Sequence, residues 1–154
     1  MTTSNKQFNT QTADLLKSVL ADQFLLYSKS RNYHWNVTGP NFYGLHAVFE
    51  KIYNELAEDV DSIAERIRAI GFKTPGTLKE FLELTSINEE PGEYPAQSAM
   101  VQNIINDFET LIEKMKSGSN KIQNDFKDDV TAGMFCSLIE KYQKTVWMLK
   151  ATNE

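Results

Sequence analysis

The sequence predicts an all-α fold: a four-helix bundle with a short extra helix in the long crossover between helices 2 and 3. Three observations carry this. Only seven Gly and four Pro punctuate the 154 residues, and they cluster, leaving long stretches uninterrupted. Within those stretches apolar residues recur at intervals of three and four, the period of an amphipathic helix. The implied connections run short, long, short, which is the pattern of a bundle with one crossover. With 41% hydrophobic and 24% charged residues, the chain is long enough for one sizeable core and short for two, so residues 1–154 are expected to form a single domain.

The first helix is expected from about Thr10 to Asn36, with Leu16, Val19, Leu20, Phe24 and Tyr27 on its inner face, and Gly39 with Pro40 stops it. The second opens near Asn41, a favoured N-cap residue type. It carries Phe42, Leu45, Phe49, Ile52, Leu56, Val60, Ile63, Ile67 and Ile70 until Gly71 ends it. Pro75 and Gly76 make a turn, and Thr77 with Glu80 forms a capping box that starts a short helix through about Leu84. A loop containing Pro91, Gly92 and Pro95 leads to the third long helix. Its inward residues are Val101, Ile104, Phe108, Leu111, Ile112 and Met115, and it is expected to dissolve where Ser117, Gly118, Ser119 and Asn120 follow one another. The fourth starts around Asp128 and Asp129 and buries Phe135, Leu138, Tyr142, Val146 and Leu149. The chain has no internal repeat and no low-complexity segment.

Sixteen Lys and Arg against twenty-one Asp and Glu give a net charge of -5, which gives no overall support to attraction for nucleic acid or anionic membrane and favours cations as partners. The lone cysteine, Cys136, cannot form an intrachain disulfide, and its neighbours Phe135 and Leu138 suggest that it is buried. The first residues lack the apolar core of a signal peptide, and no stretch approaches the roughly twenty apolar residues that span a bilayer. A cytoplasmic protein with no membrane partner is expected.

Candidate chemistry begins with the two histidines, His34 and His46, which bracket the first helical connection, so that an antiparallel hairpin brings them together. On the second helix His46 and Glu50 are four apart, as are Asp61 and Glu65, so each pair shares a face. All four fall on one stripe beside the core stripe, with Ala47, Ala57 and Ala64. That stripe implies a second buried seam. Fifteen residues separate His46 from Asp61, about 22 Å along a straight helix at ~1.5 Å per residue, so one chain cannot hold one ion with both. Two copies of the helix packed antiparallel about a twofold axis would join His46 and Glu50 of one chain to Asp61 and Glu65 of the other, twice over. Two imidazoles with three carboxylates suit Fe(II), Mn(II) or Zn(II) rather than Mg or Ca, and affinity alone does not exclude zinc or manganese.

The run Asn32, Tyr33, His34, Trp35, Asn36, then Gly39, Asn41, Phe42, His46 with Glu50, Asp61 with Glu65, and Ala64-Glu65-Arg66 resembles the signature of the Dps family, the ferritin-like miniature cages. The similarity extends over essentially the whole chain, including the short helix after Thr77 and Trp147 in the last helix. It implies that His34, His46 and Glu50 are ferroxidase ligands from one subunit and Asp61 and Glu65 those from its twofold mate. Glu50 stands where the family often has Asp. The resemblance further implies a hollow dodecamer built from twofold dimers, with Fe2+ as substrate, hydrogen peroxide as preferred oxidant and a ferric (Fe3+) mineral inside. Trp35 resembles the family's tryptophan beside the iron site, which absorbs stray oxidising equivalents; a Trp ending a helix beside apolar neighbours also reads as core.

Two departures from the family pattern bear on partners. Family members that compact DNA commonly use a Lys-rich or Arg-rich tail, whereas Lys6 is the one base here before Lys17, so direct DNA binding is not expected. Around Asp129 the sequence resembles the family's iron-admitting pore segment, but Gly133 replaces a frequent acid; Asp125 and Asp128 are candidates to compensate. Asp129 followed by Thr131 also reads as an ordinary helix start with an acidic first turn. Two other functions compete with iron oxidation: a DNA-compacting nucleoid protein with secondary iron chemistry, and an assembling helical bundle with a vestigial ligand set.

Overall fold

The computed structural model describes the backbone of residues 3–125 and 127–153 and the side chains of residues 10–125 and 127–152. It contains α1 (Thr3–Asn36), α2 (Phe42–Ala69), α3 (Leu78–Leu84), α4 (Gln97–Asn124) and α5 (Asp129–Asn153), and no strand among the described residues. This is an all-α four-helix bundle with a short extra helix in its long crossover. The hairpins α1/α2 and α4/α5 pack through α1 and α4, and the small helix α3 of the crossover lies on α1.

Local signals set most boundaries. Beyond the end of α2, Gly71 takes φ +94, a left-handed conformation that glycine adopts without steric penalty. Its N–H reaches the Arg68 carbonyl and the Phe72 N–H reaches that of Ile67, a Schellman motif that satisfies two carbonyls of the last turn. At α3 the Thr77 hydroxyl accepts from the Glu80 N–H, and the Glu80 carboxylate accepts from the Thr77 N–H, which completes the expected capping box.

Two boundaries differ from expectation. The first helix begins at Thr3 rather than near Thr10, because residues 3–9 contain no glycine or proline to stop it. The side chain of Lys6 lies outside the described residues. More consequentially, α4 does not dissolve at Ser117; it runs through to Asn124, with Gly118 and Ser119 buried. Gly118 is a contact residue here: a Cβ on it would fall 2.3 Å from Leu15 Cδ2, so its lack of a side chain lets α1 and α4 approach.

The core joins Leu16, Leu20 and Leu26 of α1 to Phe49, Leu56, Ile63 and Ile67 of α2, Ile104 and Phe108 of α4, and Phe135 and Tyr142 of α5. Two carboxylates are buried with it. Asp22 on α1 accepts from the Thr85 hydroxyl (2.8 Å), the Ser86 N–H (2.7 Å) and the Lys114 ammonium, pinning the end of α3 to both α1 and α4. Asp59 on α2 accepts from Lys141 and, at 2.8 Å, from the Tyr142 hydroxyl, which in turn accepts from the Gln23 amide at 2.8 Å. Burial, then the Asp59 charge, push the Tyr142 hydroxyl well above its usual pKa and keep it a neutral donor. Among the described residues, no helix is long and apolar enough to cross a membrane.

Candidate metal centre

Where α1 ends and α2 begins, the helical hairpin lays the His34 and His46 rings face to face, with centroids 3.7 Å apart and planes 23° apart. Each ring nitrogen Nδ1 lies 2.8 Å from the backbone carbonyl of the other histidine. A carbonyl only accepts, so both Nδ1 atoms carry the proton, and in neutral imidazoles both Nε2 atoms keep their lone pairs for a metal. Orientation of a ligand through its other ring nitrogen is the usual support for a metal-binding histidine. The Phe42 ring stacks on His46 at 5.1 Å, and Tyr53 meets His34 edge-on at 5.4 Å, so the rings are held by packing as well.

Glu50 follows His46 by one turn and is exposed; the Tyr53 hydroxyl, 3.4 Å away, donates to its Oε1. Asp61 and Glu65, more than four turns beyond His46, stand on the same exposed face, which also presents Ala47, Asn54 and Ala57. Among the described residues, neither Asp61 nor Glu65 has a hydrogen-bond or ion-pair partner. Among the described residues, too, no three His, Cys, Asp or Glu side chains gather closely enough to hold a metal. One chain therefore unites the two histidines, with Glu50 a turn away, and leaves Asp61 and Glu65 at the far end of α2.

Trp35, next to His34, is 65% exposed, so the reading of it as core is set aside. Its ring is covered by the Arg31 guanidinium at 5.1 Å, which also sits over Tyr27 (5.5 Å) and Tyr53 (5.3 Å). Cys136 is exposed rather than buried, because Phe135 and Leu138 take the inner face of α5 and Cys136 falls about 100° round the helix from Phe135.

The pore candidates separate into two kinds. Asp125, just after α4, and Asp129, the first residue of α5, are exposed. Asp128 is engaged: it caps α5 through the Thr131 N–H (3.0 Å) and pairs with Arg66 (2.9 Å), whose Nε also donates to the Thr131 hydroxyl (2.8 Å). Burial raises the Asp128 carboxyl, but the hydrogen bonds from Thr131 and the Arg66 charge outweigh it and hold the group below the usual carboxylate range. Gly133 is exposed, with open space where a Cβ would be.

Asp22 and Asp59 were not singled out by the sequence, and Arg66 entered only as part of the signature run Ala64-Glu65-Arg66, with no role given to it. A signal existed for the two acids: Asp59 sits three beyond Leu56 and four before Ile63, and Asp22 three beyond Val19 and four before Leu26, both on core stripes.

Comparison with known proteins gives concordant matches. A family model described as the ferritin-like domain matches residues 13–154. DNA protection during starvation protein 2 of Bacillus anthracis is 39% identical over 143 residues, 93% of this chain and 97% of that protein. The crystal structure of a Dps protein from Bacillus brevis superposes with a TM-score of 0.92 at 36% identity and covers 100% of both chains. A Vibrio cholerae Dps protein, described as a member of a broad superfamily of ferritin-like diiron-carboxylate proteins, gives a TM-score of 0.91 at 27% identity, covering 96% of this chain and 92% of its own.

Proposed function

Since this chain belongs to the Dps family of ferritin-like proteins, we propose that it is a ferroxidase that oxidises Fe(II) with hydrogen peroxide and stores the ferric product inside a dodecameric cage. The observation that carries the reading is the division of one ligand set along α2. His34 and His46 are paired and oriented at one end, while unpartnered Asp61 and Glu65 wait on the same exposed face at the other. Antiparallel packing of two α2 helices about a twofold axis brings the halves together, with Glu50 beside the histidines, and forms the site twice per dimer.

In that site the side chains bind and orient the metal substrate, and the three carboxylates offset its charge. Two Fe(II) ions give one electron each to peroxide; the O–O bond breaks, and two protons complete two waters. A two-electron reduction releases no hydroxyl radical. Zinc and manganese compete for the same mixed nitrogen and oxygen set. Asp125 and Asp129 stand as the exposed acids by which iron is admitted, and Asp128 serves mainly to fix α5.

Protection of DNA, which the Bacillus anthracis relative's name states, follows here from removing iron and peroxide rather than from contact. The net charge of -5 offers few cations for phosphate. The test is to load Fe(II) anaerobically and add measured peroxide. Two Fe(II) consumed per peroxide, without trapped radical, supports the reading; one per peroxide, with radical, contradicts it.

A further inference from the structure

We propose that Tyr53 is a positioning residue for this metal site, holding Glu50 through its hydroxyl and His34 through its ring edge; this rests on the reading of the site given above. Tyr53 lies three residues beyond Glu50, so the two share a face of α2. Its hydroxyl donates to Glu50 Oε1 at 3.4 Å, and among the described residues Glu50 has no other hydrogen-bond or ion-pair partner. The ring meets His34 at 5.4 Å with planes 77° apart and meets Tyr27 at 6.2 Å with planes 86° apart. Arg31 closes over it at 5.3 Å while donating to the Tyr27 hydroxyl, so the ring is fixed from the α1 side. Tyr53 thus meets a candidate ligand on α1, His34, and a candidate ligand on α2, Glu50.

The chemistry explains why such a residue is needed. A glutamate has one more rotatable bond than an aspartate and, exposed on a helix, samples several rotamers that carry its carboxylate away from the histidines. A hydroxyl donated from the same face restrains it. Partners of ligands commonly change metal affinity by roughly 10–100-fold, and a bond of this length belongs at the lower end.

The experiment uses the assembled protein and Co(II), whose visible spectrum reports ligand geometry. Tyr53→Phe keeps the ring and removes the hydroxyl; it should weaken Co(II) binding by roughly tenfold and alter the visible bands. In a Glu50→Gln background the same change should cost nothing further, because the group it positions has lost its charge. A Tyr53→Phe titration and spectrum like those of the parent overturn the proposal. So does a loss of equal size with and without Glu50, which marks general destabilisation. His46→Ala is the control for the site itself: if it too binds Co(II) like the parent, the reading of the site falls along with the role of Tyr53.

Discussion

His34 and His46 exchange hydrogen bonds: each Nδ1–H donates to the other's backbone carbonyl at 2.8 Å, across the turn that joins α1 to α2. The same pair therefore closes the hairpin and frees both Nε2 atoms.

These two roles separate by substitution. In His46→Asn the amide nitrogen stands near the place of Nδ1 and keeps the bond to the His34 carbonyl, whereas His46→Ala loses it, at a cost of about 1 kcal/mol. Both lack Nε2. Chemical denaturation should find the Asn variant more stable than the Ala variant, while stopped-flow absorbance finds fast iron oxidation lost in both. Equal stability would contradict the reciprocal bond, and retained oxidation in either would contradict the ligand role.

Asp128 makes the start of α5 sensitive to acid. Its folded pKa is depressed below the ordinary value near ~3.9, so its stabilisation is complete above that value and is lost as pH falls through the folded pKa. Asp128→Asn retains a capping side chain but not the charge and should flatten this acid loss. Asp128→Ala removes the cap as well and should cost about 1 kcal/mol at pH 7. Urea titrations at pH 7 and in the acid range check both.

What the sequence disclosed, and what it did not, follows from how local each cause is. The capping box at Thr77 and the stop at Gly71 act within a few residues, and the stripe of His46, Glu50, Asp61 and Glu65 is a property of one helix, so local pattern exposes them. The run from Ser117 to Asn120 has the composition of a helix end, yet α4 continues because Gly118 meets Leu15, a residue more than a hundred positions away. Asp22 and Asp59 lie on core stripes, but the Lys114 and Lys141 ammonium groups that compensate their burial arrive from other helices. In the proposed reading the seam that completes the site lies between chains, and one helix's pattern points to it only through the length separating His46 from Asp61.

Two glycines should respond in opposite directions. Gly133→Ala fills open space in the body of α5 and should stabilise by roughly 0.5–1 kcal/mol. Gly118→Val drives branched carbons into Leu15 and should destabilise despite its better backbone entropy. Thermal midpoints decide both. Gly133→Asp should also speed initial iron uptake at low ionic strength, an effect that salt suppresses, if α5 opens the pore.

DNA should be retarded weakly or not at all at physiological salt without divalent ions, given the net charge of -5. A magnesium-free gel shift checks it. Tight, salt-sensitive binding would contradict the expectation, whereas binding only with divalent ions would indicate cation bridging.

The central claim is that each site draws on two chains, and complementation in mixed cages measures it directly. His46→Ala and Asp61→Ala should each abolish fast oxidation when present in every subunit. Coexpressed with different tags and purified as cages holding both, they pair so that one site of a mixed dimer loses both groups while the other keeps an intact His46 facing an intact Asp61. The account predicts that half the sites of such dimers recover peroxide-driven iron oxidation. Activity no greater than that of the parent variants, in cages shown to contain mixed twofold pairs, would contradict it.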